Sequence, residues 1–167
     1  YGNIVLARTS SGGAFWFTVS NTDPPTRAMP VAGFDRAVDV HVGGSDLFCI
    51  RQSDGNVRCA GRSTPAVDVP EFRGALGLAL SSINSGCILR ADRTVACRGA
   101  NNFGQLGLGT TDPDSHPTLS PVPGLSDVAQ LVRASNAYCA RQRTGQVWCW
   151  KLNHTPVIYV LLRVVII

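Results

Sequence analysis

Residues 137–150, Ala-Tyr-Cys-Ala-Arg-Gln-Arg-Thr-Gly-Gln-Val-Trp-Cys-Trp, read as two short apolar strands folded about a glycine turn, with a cysteine on each strand. Arg143-Thr144-Gly145 fits a three-residue hairpin loop whose third residue enters the left-handed region, where glycine escapes the Cβ penalty. Pairing outward from Gln142 opposite Gln146 sets Arg141 against Val147, Ala140 against Trp148 and Cys139 against Cys149. Directly opposed residues of a non-hydrogen-bonded antiparallel pair have Cα atoms about 4.5 Å apart, within the span a disulfide bridges.

The same object recurs. Cys49 and Cys59 have the same spacing around Ser53-Asp54-Gly55, and Cys87 and Cys97 have it around a loop in which Arg93 replaces the glycine. That middle turn is therefore either strained or of another type. A fourth copy lacks sulfur: Gly12 follows Leu6 as Gly145 follows Cys139, and Leu6 and Trp16 stand where the other copies have cysteines. The repeated unit is a packed hairpin, and the disulfide is an addition to it.

Composition sets the class. Charged residues are only 16%, while 17 glycines and 10 prolines supply turns, a balance that suits short buried strands and an all-β fold. A net charge of +4, carried by basic residues spread along the chain, gives no clustered footprint, so no nucleic-acid partner is expected. Six cysteines in three regular pairs point to an oxidising compartment: extracellular, cell-surface or periplasmic. The alternative is three reduced, buried pairs acting as small hydrophobes. Structural zinc needs closer cysteine pairs than these. Neither an initiating Met nor a signal-like run precedes Tyr1, which suggests a mature product or an excised fragment.

Upstream of each cysteine hairpin lies an alternating run, starting at Ala37, Ala75 and Val128, that fits a third strand in register with it. Further upstream, Met29 to Phe34 and Ser120 to Leu125 read as a proline-bounded edge segment followed by a turn. Edge segment, third strand and hairpin, taken in that order, make four strands per unit. Thr-Asp-Pro recurs in the turn-rich linkers at 22–24 and 111–113. Repeated four-stranded units predict a partial β-propeller of about three to four four-stranded blades. Its repeats would occupy residues 1–154, with hairpins near 6–16, 49–59, 87–97 and 139–149. Residues 155–167 form an anomalous hydrophobic tail, nearly all apolar except Arg163 and too short to span a bilayer. The tail reads as a further buried strand, the product of a shifted reading frame, or a surface-binding segment.

Asn101 to Thr110 reads NNFGQLGLGT, and together with PVPGL at 121–125 and the hairpin from Cys139 to Trp150 it resembles the repeat of the regulator of chromosome condensation family. The likeness is greatest to bacterial exported relatives with a cysteine pair in each blade, and it covers roughly residues 3–153. The resemblance implies a propeller, usually of seven blades of about 50 residues. Two departures stand out: no GQLG lies between Cys59 and Cys87, and the sequence after Trp150 leaves the family pattern. Members of the family act by binding, through loops on one face of a rigid disc. They include an exchange factor for a small GTPase, a plant ultraviolet receptor and a bacterial β-lactamase inhibitor. None of these activities transfers, because the matched residues are those that form blades.

Few residues are spaced for chemistry. His41, His116 and His154 lie far apart without a second metal ligand at working spacing, and no nucleophile elbow, phosphate loop or zinc-protease motif occurs. Asp112-Pro113-Asp114 resembles part of a calcium loop but lacks its glycine and closing glutamate, which leaves a solvated turn. Gly104 and Gly107 fit a tight turn between blades. No catalytic, cofactor-binding or metal residue is therefore expected. The expectation is a non-catalytic binding module, presenting inter-blade turns around Asp23, Asp112 and Asp114 and hairpin tips around Asp54 and Arg143. A protein partner fits best, with a polysaccharide as the second choice. An open propeller exposes two blade faces, so a larger parent chain or self-association is also expected. The alternative function is exchange-factor-like regulation of a small GTPase, which would require reduced cysteines.

Overall fold

The computed structural model describes residues 3–19, 27–43, 47–81, 86–134, 137–151 and 159–160. Within them every sheet is antiparallel and there is no α-helix. The chain divides into two compact units, Tyr1–Gly74 and Ala75–Ile167.

The first unit holds two sheets, here called blades. Blade one has the order β1 (Asn3–Arg8), β2 (Ala14–Val19), β3 (Met29–Pro30), and blade two has β4 (Ala37–Gly43), β5 (Leu47–Gln52), β6 (Val57–Gly61), β7 (Val67–Asp68). A short 3-10 turn, Pro70–Phe72, ends this unit and buries Phe72. In the second unit, blade three consists of β8 (Gly77–Leu80), β9 (Gly86–Leu89), β10 (Val95–Asn101) and β11 (Asp112–Pro121). Blade four consists of β12 (Val128–Ala134), β13 (Ala137–Gln142), β14 (Val147–Lys151) and β15 (Tyr159–Val160).

The hairpins pair as their spacing predicts. Leu6 opposes Trp16, Cys49 opposes Cys59, Cys87 opposes Cys97 and Cys139 opposes Cys149. The three cysteine pairs are disulfides with Cα–Cα distances of 4.1, 4.0 and 4.1 Å. All four tips close in one way. The amide of the third tip residue donates to the carbonyl three residues before it: Gly12 to Thr9, Gly55 to Gln52, Arg93 to Arg90 and Gly145 to Gln142, each at 3.0 Å. Arg93 has φ 67°, so of the two alternatives for the glycine-free turn the strained one holds.

The edge segments behave differently from expectation. Met29 and Pro30 pair with Trp16 and Phe15, while Ser120 and Pro121 pair with Cys97 and Ala96, so each edge strand closes the blade before it rather than opening the next. The reason is chain economy: an edge strand laid beside the hairpin just completed continues the meander, and Val31 and Val122 extend both ladders by donating to Ala14 and Val95 at 2.9 Å. The stretch read as a turn around Asp112 and Asp114 is likewise the start of β11. Its prolines at 113 and 117 are tolerated because an outermost strand needs ladder hydrogen bonds on one side only. Ala75 precedes the third-blade inner strand, which begins at Gly77. Of the tail, Tyr159 and Val160 pair with Cys149 and Trp148, and the remainder lies outside the described residues.

Each unit has a core in which one blade covers its neighbour. In the first, Ile4, Leu6, Ala14 and Trp16 of blade one pack with Val40, Val42, Phe48, Ile50 and Ala60 of blade two, and the Trp16 and Phe48 rings stack with centroids 6.1 Å apart. In the second, Ala79, Cys87, Leu89, Val95 and Cys97 of blade three pack with Leu131, Tyr138, Ala140 and Trp150 of blade four. Leu6 and Trp16 thus do by apolar packing what a buried disulfide does in blade three.

Candidate functional site

The hairpin tips lie against the segment that leads into the following blade, joined to it by backbone hydrogen bonds. The Gly12 carbonyl accepts from the Ala37 amide at 3.0 Å, the Gly55 carbonyl from Gly74 at 2.9 Å, and the Arg93 carbonyl from Val128 at 2.9 Å. In two blades the tip also bonds the connector that enters its own blade: Ser53 donates to the Arg36 carbonyl and Arg143 to the Asp127 carbonyl, both at 3.0 Å. The connector residues Arg36, Gly74 and Asp127 have φ of 51°, 76° and 52°, the left-handed conformation that turns the chain into the next inner strand. A Cβ on Gly12 would lie 2.9 Å from the Arg36 Cα, so the tip and the connector approach too closely for any other residue.

Side chains reinforce this contact between a tip and the connector that enters its own blade. Gln52 Nε2 donates to the Asp35 carbonyl at 3.0 Å and to its carboxylate at 2.8 Å, and Gln142 Nε2 donates to the Ser126 carbonyl at 2.7 Å. Arg36 Nη1 lies 2.8 Å from Asp54 Oδ2, while Arg143 Nε lies 3.5 Å from Asp127 Oδ1. The charges are exchanged between the two blades: the tip is acid and the connector base in one, the reverse in the other. Asp54 is held below the ordinary carboxylate range, first by the Asn56 amide and then by the Arg36 charge. Both tip residues singled out in the sequence are thus engaged within the chain, and as exposed pairs they fix geometry more than they add stability.

A second polar cluster organises the GQLG turn. Asn101 and Gln105 are fully buried. Asn101 Nδ2 donates to Asp112 Oδ2 at 2.7 Å and to the Thr110 carbonyl at 3.1 Å, and its Oδ1 accepts from the Leu106 amide at 3.3 Å. Gln105 Oε1 accepts from the Phe103 amide at 2.8 Å and its Nε2 donates to Asn102 Oδ1 at 3.1 Å. Gly104 and Gly107 have φ of 75° and 68°. A Cβ on Gly107 would come within 3.2 Å of both Trp150 Cδ1 and Val122 Cγ1. Asp112 also meets the His116 ring at 2.7 Å, and the Asn101 amide followed by that ring holds its carboxyl below the ordinary range. Asp112 is therefore part of a structural network, whereas Asp114 beside it is exposed, its amide donating to Asp112 Oδ1 at 3.2 Å. Asp23 and His154 lie outside the described residues.

One cluster escaped the sequence reading. On blade two, Asp39 Oδ2 lies 3.1 Å from His41 Nε2 and 3.6 Å from Arg51 Nε, and the neighbouring His41 ring is foremost in holding the Asp39 carboxyl low. The signal available was the two-residue spacing of Asp39 and His41, which puts both on one strand face. Among the described residues no three His, Cys, Asp or Glu side chains are grouped to hold a metal ion, and no helix is long and apolar enough to cross a membrane. A cavity of about 250 Å³ in the second unit is walled by Gly107, Val122, Leu125, Trp148 and Trp150, with no titratable group.

No family model and no curated protein matches the sequence. Solved structures do match in fold. Human WBSCR16 superposes with a TM-score of 0.66 at 15% identity over 89% of this chain and 44% of its own. Yeast RCC1 (Prp20), solved bound to Kap60, gives 0.67 at 10% over 89% and 42%. Prp20p from Saccharomyces cerevisiae, in a study of its binding to Gsp1p and histones, gives 0.67 at 15% over 90% and 42%. The chain thus spans less than half the length of these structures, and its fold is that of a partial RCC1-like β-propeller.

Proposed function

We propose that this chain is a non-catalytic binding module of an exported protein, part of a larger propeller, that presents its hairpin tips to a protein partner. The observation that carries the reading is the repeated latch between tip and connector. The four tips share one geometry, and three are joined by backbone bonds to the connector that follows, so side chains on each tip can vary without disturbing its blade. The three disulfides support an oxidising location.

Asp54, Arg143 and the exposed Asp114 are the residues proposed to bear on the partner, and Asp23 belongs with them from its sequence position. The test presents the purified chain to extracellular proteins and to an array of polysaccharides, alongside a tip variant carrying Asp54→Ala and Arg143→Ala. Binding weakened in the variant at unchanged melting temperature supports the reading. Binding unaffected by both tip changes contradicts it. Binding of Prp20p to Gsp1p motivates a second reading, exchange-factor-like action on a small GTPase. Cysteines found reduced in the protein from its native source, with faster release of a fluorescent guanine nucleotide from such a GTPase, would favour it instead.

A further inference from the structure

The connector that enters blade two and the one that enters blade four are built alike, but what lies against them differs. Gly33 follows Val31 as Gly124 follows Val122, and the two glycines share the left-handed conformation, with φ of 77° and 71°. Arg58 stands immediately before Cys59 as Trp148 stands before Cys149. In blade two the arginine fills the space beside the connector. Its Nη1 donates to the Gly33 carbonyl at 2.6 Å and its Nη2 to the Ala66 carbonyl at 3.4 Å, while its Nε lies 2.9 Å from Asp68 Oδ1. A Cβ on Gly33 would meet Ala66 Cβ at 3.1 Å and Arg58 Nη1 at 3.4 Å.

In blade four the same space is open: nothing lies within 4 Å of a Cβ on Gly124. Trp148 is engaged elsewhere, its Nε1 donating to Gln142 Oε1 at 2.8 Å. What remains beside the connector is the cavity of about 250 Å³. It is bounded by the connector leaving blade three on one side and by β14 of blade four on the other, both within the second unit, so it does not depend on what precedes or follows the chain. Its walls decide what it can hold. Val122, Pro123 and Leu125 present carbon, and both indole N–H groups are already bonded, Trp148 to Gln142 and Trp150 to the Gln105 carbonyl. No lining residue among those described carries a charge. Where blade two sets Asp68 opposite Arg58, blade four sets Val160 opposite Trp148, so the register position of the acid holds valine. An ion entering here would give up water without gaining a partner. An uncharged ring pays no such cost and gains contact with the indole faces. A cavity of about 150 Å³ with aliphatic and aromatic walls holds a benzene, so this larger one has room for two fused rings.

We infer that this cavity is a binding site for a small, uncharged, planar aromatic compound of the indole class, held between Trp148, Trp150 and the connector from Val122 to Leu125. Burial of the ring supplies the drive, and the blades on either side supply a preformed shape. The site uses neither Asp54 nor Arg143, so it and the hairpin tips can fail separately.

Nuclear magnetic resonance of the full chain, labelled at nitrogen and titrated with indole, tests the inference. The chain has three tryptophans, Trp16, Trp148 and Trp150, each with one indole N–H signal. Indole is expected to move the Trp148 and Trp150 signals along one saturable curve and to leave that of Trp16, in the first unit, in place. Val122→Phe fills the cavity from its wall and should weaken binding by about tenfold or more. Trp148→Leu replaces it if Val122→Phe loses its β-sheet circular dichroism. A carboxylate-bearing indole, which brings a charge to the same ring, should also bind at least about tenfold more weakly. The absence of saturable movement overturns the inference, as does equal movement of the Trp16 signal. Unchanged affinity in the folded variant, or a carboxylate that binds as tightly as indole, would overturn it too.

Discussion

The indole Nε1 of Trp150 donates to the Gln105 carbonyl oxygen at 3.1 Å, tying blade four to the turn that leaves blade three across 45 residues of sequence. The same ring lies at 5.9 Å, centroid to centroid, from Tyr138 and is packed against Gly107. Trp150→Phe removes the donor but keeps most of the ring, and a loss of about 1 kcal/mol in denaturant unfolding is expected. Trp150→Ala, which also opens a cavity, is expected to cost about 3–5 kcal/mol. Equal effects of the two variants would show that the hydrogen bond, not the packing, dominates.

Gly107→Ala places a Cβ against Trp150 and Val122 at a φ of 68°. A loss of more than about 1 kcal/mol is expected from conformation alone, with the crowding adding to it. Gly109→Ala, where φ is 80° and nothing lies within 4 Å of the added atom, isolates the conformational part. Thermal melting of the two should place Gly107→Ala clearly lower.

Arg93 provides the opposite case. It adopts the left-handed conformation that Gly12, Gly55 and Gly145 adopt in the equivalent turns. Arg93→Gly is therefore expected to raise stability by about 0.5–1 kcal/mol, relief of strain exceeding the greater freedom of glycine in the unfolded chain. A variant that melts below the wild type would show that the arginine side chain contributes an interaction outweighing its strain.

Asp112 carries a pH dependence whose sign follows from its lowered native pKa. The unfolded carboxyl binds a proton first, so the stabilisation is fully present above about pH 4 and is lost as pH falls through the lower native value. Asp39 and Asp54 behave alike. The useful quantity is thus the difference between wild type and Asp112→Asn, which should narrow below about pH 4. A constant difference across acid pH would mean that Asp112 acts through shape and not charge.

Much of this fold is legible in the sequence because a disulfide-bearing hairpin leaves a short-range mark: fixed spacing, a turn glycine, and alternation on each side. The GQLG turn is legible through its likeness to the family repeat and through Gly104 and Gly107, which both take positive φ. The contacts between tips and connectors are not, because they run through backbone groups, the ion pairs beside them, Arg36–Asp54 and Asp127–Arg143, have exchanged charges, and the left-handed connector is Arg in one blade, Gly in another and Asp in a third. Strand β11 is hidden for a different reason. Prolines and aspartates at 112–117 suggest a turn unless it is known that the segment will be outermost, and only the completed sheet decides that. Asp112 then changes from a candidate contact into the partner of Asn101, a residue eleven positions away.

The disulfides admit a graded test. Double replacement of Cys139 and Cys149 by alanine should lower stability by about 2–3 kcal/mol, the order expected for a closed loop of this size. Titration with a thiol reductant should open this half-buried pair before the buried pairs Cys49–Cys59 and Cys87–Cys97.

The most direct measurement is alkylation of the unreduced, denatured protein from its native source, followed by peptide mapping. This account predicts no labelled cysteine and three cross-linked peptides, joining Cys49 to Cys59, Cys87 to Cys97 and Cys139 to Cys149. Six labelled cysteines would contradict the oxidising location, and cross-links between different hairpins would contradict the blades themselves.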